Sequence, residues 1–100
     1  MSKYYIYGIT KDNGSADDPD EAIDRYFYHK CSELGEYCGC FNAPRQYLVD
    51  RVKEGSAAYT YPNGRIGARC VVKISKNGVE YLKSIPDGNP MNNISSLPEM

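Results

Sequence analysis

The chain has 100 residues, enough for one domain and too few for most multidomain enzyme architectures. Hydrophobic residues make up 41% and charged residues 25%, with a mean hydropathy of −0.61, which excludes a disordered tract and describes a small soluble domain. The net charge of −1 argues against a generally cationic nucleic-acid or membrane binder, because phosphate affinity accumulates from Lys and Arg.

Lys3 to Ile9 (KYYIYGI) alternates with period two and predicts an interior strand, with Tyr4 and Ile6 on one side and Tyr5, Tyr7 and Ile9 on the other. Thr10 to Asp20 is a polar loop with an Asn13-Gly14 step. Glu21 to Leu34 supports two readings. A helix would be capped by Asp18, Pro19 and Glu21 and would place Ile23, Tyr26, Phe27, Cys31 and Leu34 at helical spacing before Gly35. A strand would alternate Ile23, Arg25, Phe27 and His29 against Tyr26, Tyr28 and Lys30. Local pattern favours the helix. Phe41 to Gly55 predicts a helix capped by Asn42, with Pro44 in its first turn, Tyr47, Leu48 and Val52 on one face, and Gly55 as its stop. Strands then run over Ala57 to Tyr61, Ile66 to Ser75 and Val79 to Ile85, joined by turns at Pro62-Asn63-Gly64 and Asn77-Gly78. The tail from Pro86 to Met100 reads as irregular, fastened by Ile94, Leu97 and Pro98. The expected fold class is α+β, a small antiparallel sheet (meander) packed with one or two helices, in a single domain over residues 1–100.

Tyrosine dominates the aromatic content: ten of twelve rings are Tyr, two are Phe and none is Trp. Such rings settle where carbon is buried and the hydroxyl stays paired or wet, which favours a binding surface. Residues 1–44 carry four basic side chains against eight acidic ones, and residues 45–100 carry eight against five, so an anion site is expected in the second half. There Tyr59, Tyr61, Arg65 and Arg69 come from adjacent strands and their turn, with Arg65, Gly67 and Arg69 sharing one side by alternation. Rings beside guanidinium forks would stack a base and clamp a phosphate or carboxylate, unless the helix covers that face.

Four cysteines, Cys31, Cys38, Cys40 and Cys70, occur without a secretory signal pattern and are expected as reduced thiols in a cytoplasmic product. His29, Cys31, Cys38 and Cys40 supply ligand types suited to tetrahedral Zn²⁺, but their H-x-C and C-x-C spacings differ from common structural sites, and no metal site is assigned. Cys70 reads as a small core residue, and a Cys38–Cys40 disulfide is disfavoured by geometry. A Cys–His pair is the one nucleophile arrangement the composition allows, and no phosphate-cradling glycine loop is present, so neither catalysis nor a cofactor is expected.

Tyr81-Leu82-Lys83-Ser84, Pro86-Asp87-Gly88, Asn92-Asn93-Ile94 and Leu97-Pro98 form a series. It resembles a small uncharacterised domain family of bacteria and phages whose members end in Tyr-Leu-Arg-Thr, Pro-Asp-Gly, Asp-Asn-Leu and Leu-Pro. The N-terminal Tyr/Ile strand and the Tyr59-Thr60 step resemble it too, so the likeness covers most of the chain. In that family an Ile-Thr-x-Tyr segment looks like a second strand. The resemblance therefore implies a strand over residues 22–30, with Ile23-Asp24-Arg25-Tyr26 in that place, and a phage or mobile-element setting. A looser similarity connects the chain with compact phage proteins that counter Thoeris immunity by sequestering cyclic ADP-ribose-like signals. Asn92 and Asn93 join the expected ligand contacts on the amide's capacity for paired hydrogen bonds, although such residues commonly satisfy their own turns.

The functional expectation is a non-catalytic binding protein. Its concrete form is a phage-type sponge for a nucleotide-derived signal, ADP-ribose-like or a cyclic nucleotide, held by Tyr59, Tyr61, Arg65, Arg69, Asn92 and Asn93. The alternatives are an interaction module that blocks or scaffolds a host protein through a tyrosine-rich face, and a small zinc-binding domain. Homo-oligomerisation through sheet edges or tyrosines is expected, and a membrane partner is not.

Overall fold

A computed structural model describes residues 2–11, 19–32, 34 and 38–100. The Asn13-Gly14 step, the Asp18 cap and the Gly35 stop lie outside these residues. Among the described residues six strands form one mixed sheet with one α-helix, which fits the expected α+β class. The strands are β1 (Lys3–Lys11), β2 (Ile23–Cys31), β3 (Cys38–Pro44), β4 (Ala57–Thr60), β5 (Arg69–Ile74) and β6 (Glu80–Ser84), and helix α1 spans Arg45–Lys53. Their order across the sheet is β3-β2-β1-β4-β5-β6. The β4-β5-β6 meander is antiparallel as expected, whereas β1 and β4 pair in parallel. The crossover that makes this possible runs through β2, β3 and α1.

β2 takes the strand form over Ile23–Cys31. β1 extends two residues into the expected loop, to Lys11. It also departs from simple alternation: its register against β2 shifts between Ile6 and Gly8, so Tyr7 is a bulge. The extra residue returns Ile9 to the side of Tyr4 and Ile6, where it is fully buried, and leaves Tyr5 and Tyr7 on the opposite face.

The helix is shorter than the sequence pattern suggests, because Cys38–Pro44 pairs with β2 as an edge strand. Asn42 lies opposite Phe27 and accepts a 2.7 Å hydrogen bond from Arg25, so it does not cap the helix. Pro44 holds the N-cap position without a side-chain cap, and Arg45 instead ties the helix start to the carbonyls of Glu21 and Ile23. The C-terminus is a Schellman motif: Ser56 N–H donates to Arg51 O, Gly55 N–H donates to Val52 O, and Gly55 takes a φ of 105°. The buried side chains are Leu48 and Val49, with Val52 partly buried; Tyr47 is exposed and carries Arg51 over its ring. The nine-residue helix presents a narrower stripe than the one read from sequence. Burying Leu48 and Val49 contributes about 1.5–3 kcal/mol each.

One face of the sheet builds the core. Tyr4, Ile6, Ile9, Tyr26, Tyr28, Ala58, Cys70 and Leu82 meet Leu48 and Val49 of α1 together with Ile94 and Leu97 of the tail. Cys70 is a buried core thiol, as expected. Tyr26 crosses this core, and its hydroxyl accepts from Leu82 N–H, a backbone donor of edge strand β6.

The tail holds its course through a chain of turns. Asp87 Oδ1 accepts from Asn89 N–H, Asn89 Oδ1 from Met91 N–H, and Asp87 Oδ2 from Asn92 Nδ2. Ser84 Oγ accepts from Ile94 N–H, and Thr60 Oγ1 donates to Asn92 O. The last residues then pair with β1 where β4 no longer reaches: Ile9 N–H donates to Pro98 O and Met100 N–H donates to Ile9 O.

Candidate functional site

The expected strand from Ile66 to Ser75 begins only at Arg69. Gly67 and Ala68 form local hydrogen bonds back to Thr60, with Thr60 Oγ1 accepting from Ala68 N–H. Strand alternation therefore does not align Arg65 with Arg69. Arg69 lies directly opposite Tyr59 in the register, and Arg65 is exposed between Gly64 and Ile66 at the turn.

The sheet face opposite α1 carries a continuous row of rings. Tyr5 of β1 contacts Tyr59 at a centroid separation of 5.9 Å and Tyr61 at 5.5 Å. Tyr61 meets His29 at 5.7 Å, and His29 meets Tyr7 at 4.7 Å. The row thus runs Tyr59, Tyr5, Tyr61, His29, Tyr7 across β4 and the residue that follows it, β1 and β2. Period-two alternation supplies each strand's contribution, and the order β2-β1-β4 joins them. All five side chains are half-buried. Among the described residues no helix packs on this face, because the buried side of α1 and the apolar tail anchors belong to the opposite one.

The row opens into a groove of about 640 Å³, with Lys3, Tyr5, His29, Leu34, Tyr61 and Ile66 among its walls. Leu34 and Ile66 are strongly exposed, at 80% and 60%, and add apolar surface to the walls of the groove. Lys3 is the cation at the wall. Rings, apolar walls and one ammonium can stack a planar group and offset an anion.

Of the residues selected from sequence, Tyr59, Tyr61 and Arg69 are brought onto this face, and Arg65 flanks the groove. Asn92 and Asn93 are placed elsewhere. Asn92 is engaged with Asp87 and Thr60 in the tail, and Asn93 lines a separate hollow with Asp20, Lys83 and Ser84. Sequence reasoning left out Lys3, Tyr5 and His29 as ligand contacts, although the alternation of β1 already put Tyr5 beside Tyr7.

At the β2–β3 end of the face, Cys31 and Cys38 are joined by a disulfide. This corrects the expectation of four reduced thiols: the hairpin register sets the two residues directly opposite one another. Cys40 is an exposed free thiol, with Sγ 3.1 Å from His29 Nδ1. Among the described residues no group of three or more His, Cys, Asp or Glu is placed to hold a metal ion. Among the same residues no helix is long and apolar enough to cross a membrane.

A mixed sheet with a helix and tail on one face and a row of rings on the other defines a small α+β domain with a divided surface. Residues 41–98, more than half of the chain, match the family described as "Protein of unknown function (DUF3892)", and the chain belongs to that family. The matched segment holds the Tyr81 to Pro98 series, whose residues build the tail turns and anchors. It also contains Tyr59 and Tyr61, while Tyr5, Tyr7 and His29 come from the strands before it. Neither the curated proteins nor the solved structures give a match.

Proposed function

We propose that this protein is a non-catalytic binding module whose sheet face opposite the helix takes a planar, anionic ligand of the nucleotide-derived kind. The observation that carries the reading is the row Tyr59, Tyr5, Tyr61, His29, Tyr7 beside a groove with Lys3 in its wall. A base or nicotinamide-like ring stacks against Tyr5 and Tyr61 with Leu34 and Ile66 in the groove walls, and Lys3 meets its phosphate or carboxylate. Arg65 and Arg69 add positive charge at the margins. The finer expectation, a sponge for an ADP-ribose-like or cyclic-nucleotide immune signal, shares this chemistry. It otherwise rests on the loose likeness to phage anti-defence proteins, since the family match carries neither a phage nor an immune setting.

A thermal-shift panel of ADP-ribose, cyclic ADP-ribose, cyclic mononucleotides and cyclic dinucleotides tests the reading. A ligand at a hundredfold excess over its Kd stabilises the fold by about 2.7 kcal/mol, which raises Tm by about 10 °C in a domain of this size. The shift is expected to disappear in Tyr61→Ala. No shift across the panel would overturn a nucleotide-derived ligand. Capture of a protein partner that Tyr5→Ala and Tyr61→Ala both abolish would assign the same face to protein interaction instead.

A further inference from the structure

We propose that reduction of the Cys31–Cys38 bond turns the β2–β3 corner of the open face into a binding site for one soft divalent ion of the zinc class. The site's donors are the thiolates of Cys31, Cys38 and Cys40 and the imidazole of His29. This goes beyond the ring-binding reading and does not depend on it.

The register is the first support. His29 pairs with Cys40, and Cys31 pairs with Cys38, as neighbouring positions of one antiparallel ladder. Residues i and i+2 of a strand share a face, so H-x-C on β2 and C-x-C on β3 place four donors in a two-by-two block on one side of the sheet. The spacing that departs from common zinc motifs is the spacing a two-stranded site requires.

Distance gives the second support. Zn–S bonds of about 2.3 Å and Zn–N bonds of about 2.0 Å at a tetrahedral angle separate S and N ligands by about 3.5 Å. Cys40 Sγ and His29 Nδ1 stand 3.1 Å apart, so a small opening of side-chain torsions, by about 0.4 Å, accommodates an ion between them. Cys31 and Cys38 face one another in the register, and reduction frees both sulfurs as ligands.

Access and charge agree with this placement. Cys38 and Cys40 are exposed, and His29, Cys31 and Cys38 line the groove together with Lys3. Three thiolates and a divalent ion leave a net charge of −1, which the Lys3 ammonium offsets. The His29 ring is held between Tyr7 and Tyr61, which limits its freedom before an ion arrives.

The chemistry has two steps. An external dithiol gives two electrons and two protons to the Cys31–Cys38 disulfide and becomes a disulfide itself, leaving two thiols on the chain. The ion then accepts lone pairs from three sulfurs and one imidazole nitrogen, and three thiol protons pass to solvent. In the reverse direction an external disulfide takes two electrons from the Cys31 and Cys38 thiolates and, with two protons from solvent, becomes a dithiol; the re-formed bond removes two ligands, Cys40 regains a proton and the ion leaves, so the corner is bonded or metal-filled according to the redox state.

The test uses the full chain, with and without reduction by a phosphine that adds no competing thiol, titrated with Co²⁺ and then with Zn²⁺. The expected result is one Co²⁺ per chain after reduction, with thiolate-to-cobalt charge-transfer absorption and tetrahedral ligand-field bands, displaced by Zn²⁺ and absent before reduction. Cys40→Ser and His29→Ala, each verified as folded by circular dichroism, are expected to weaken binding at least roughly tenfold. Absence of stoichiometric uptake by the reduced chain, equal uptake without reduction, or unchanged affinity in folded Cys40→Ser would overturn the proposal. The comparison of reduced and unreduced unmodified chain decides the matter even if a variant fails to fold.

Discussion

Thr60 is the point at which the strand that presents Tyr61 is locked to the tail, and Thr60→Val tests that lock with little change of shape. The side chain is fully buried; its Oγ1 accepts from Ala68 N–H at 2.9 Å and donates to Asn92 O at 2.8 Å. Valine replaces the hydroxyl with a methyl group and leaves both backbone groups without that partner. A buried group deprived of its hydrogen bond costs about 1–3 kcal/mol. Ala68 is 4% exposed and bears the full penalty, whereas Asn92 is half-exposed and recovers part of its loss from water. The expected destabilisation is therefore about 2–3 kcal/mol, or a Tm lower by roughly 10 °C for a domain of this size. Equilibrium urea unfolding measures it, with an unchanged m-value showing that the folded and unfolded surfaces are the same. Faster hydrogen exchange at the Ala68 amide should accompany the loss. Destabilisation below about 0.5 kcal/mol would refute the reasoning, because a lock built on those two bonds cannot be removed at so small a cost.

The Tyr26 hydroxyl is a second buried polar contact, and Tyr26→Phe should cost about 1–2 kcal/mol by leaving Leu82 N–H unpaired, read by the same urea titration. Alkaline pH should destabilise the fold. Burial raises the hydroxyl pKa of Tyr4 and Tyr26 above the ordinary value of 10.0, pushes Tyr28 up to about 12, and pushes the Cys70 thiol from 9.0 up to about 12. The folded chain keeps these protons longer than the unfolded chain, so the stabilisation is whole below about pH 9 and falls as pH rises from 9 toward 12. A Tm profile from pH 8 to 12 in which stability rose along that range would contradict the sign, with tyrosinate absorbance reporting when the rings ionise.

The elements that can be read from sequence are those whose pattern and neighbours agree. Tyr4 and Ile6 alternate with Tyr5 as a strand should, Gly55 ends the helix with its positive φ, and Asn77-Gly78 turns β5 into β6. Cys38–Pro44 is harder to see, since it has no β-branched residue and its Asn42 and Pro44 mimic a helix start; pairing with β2 decides its form. The bulge at Tyr7 has one sequence mark, the glycine that follows it, and the fate of Ile9 depends on it. The site was half legible for a related reason. Spacing places Tyr59 and Tyr61 together and Tyr5 beside Tyr7, but only the parallel β1–β4 contact makes the two pairs neighbours. No local pattern contains that contact. Asn92 and Asn93 show the opposite case: their amides suit ligand recognition, yet the structure puts them in the tail, where Asn92 side-chain and backbone bonds hold the turns.

The face opposite the helix is the centre of the functional reading, and nuclear magnetic resonance of the full chain during titration with ADP-ribose probes it most directly. Binding on that face should move the side-chain resonances of Tyr5, Tyr61 and His29 and the backbone signals around Lys3, and leave the hollow beside Asn93 unaffected. Saturable shifts confined to the Asn93 hollow, or no shifts at all, would contradict a nucleotide-derived ligand at the ring row.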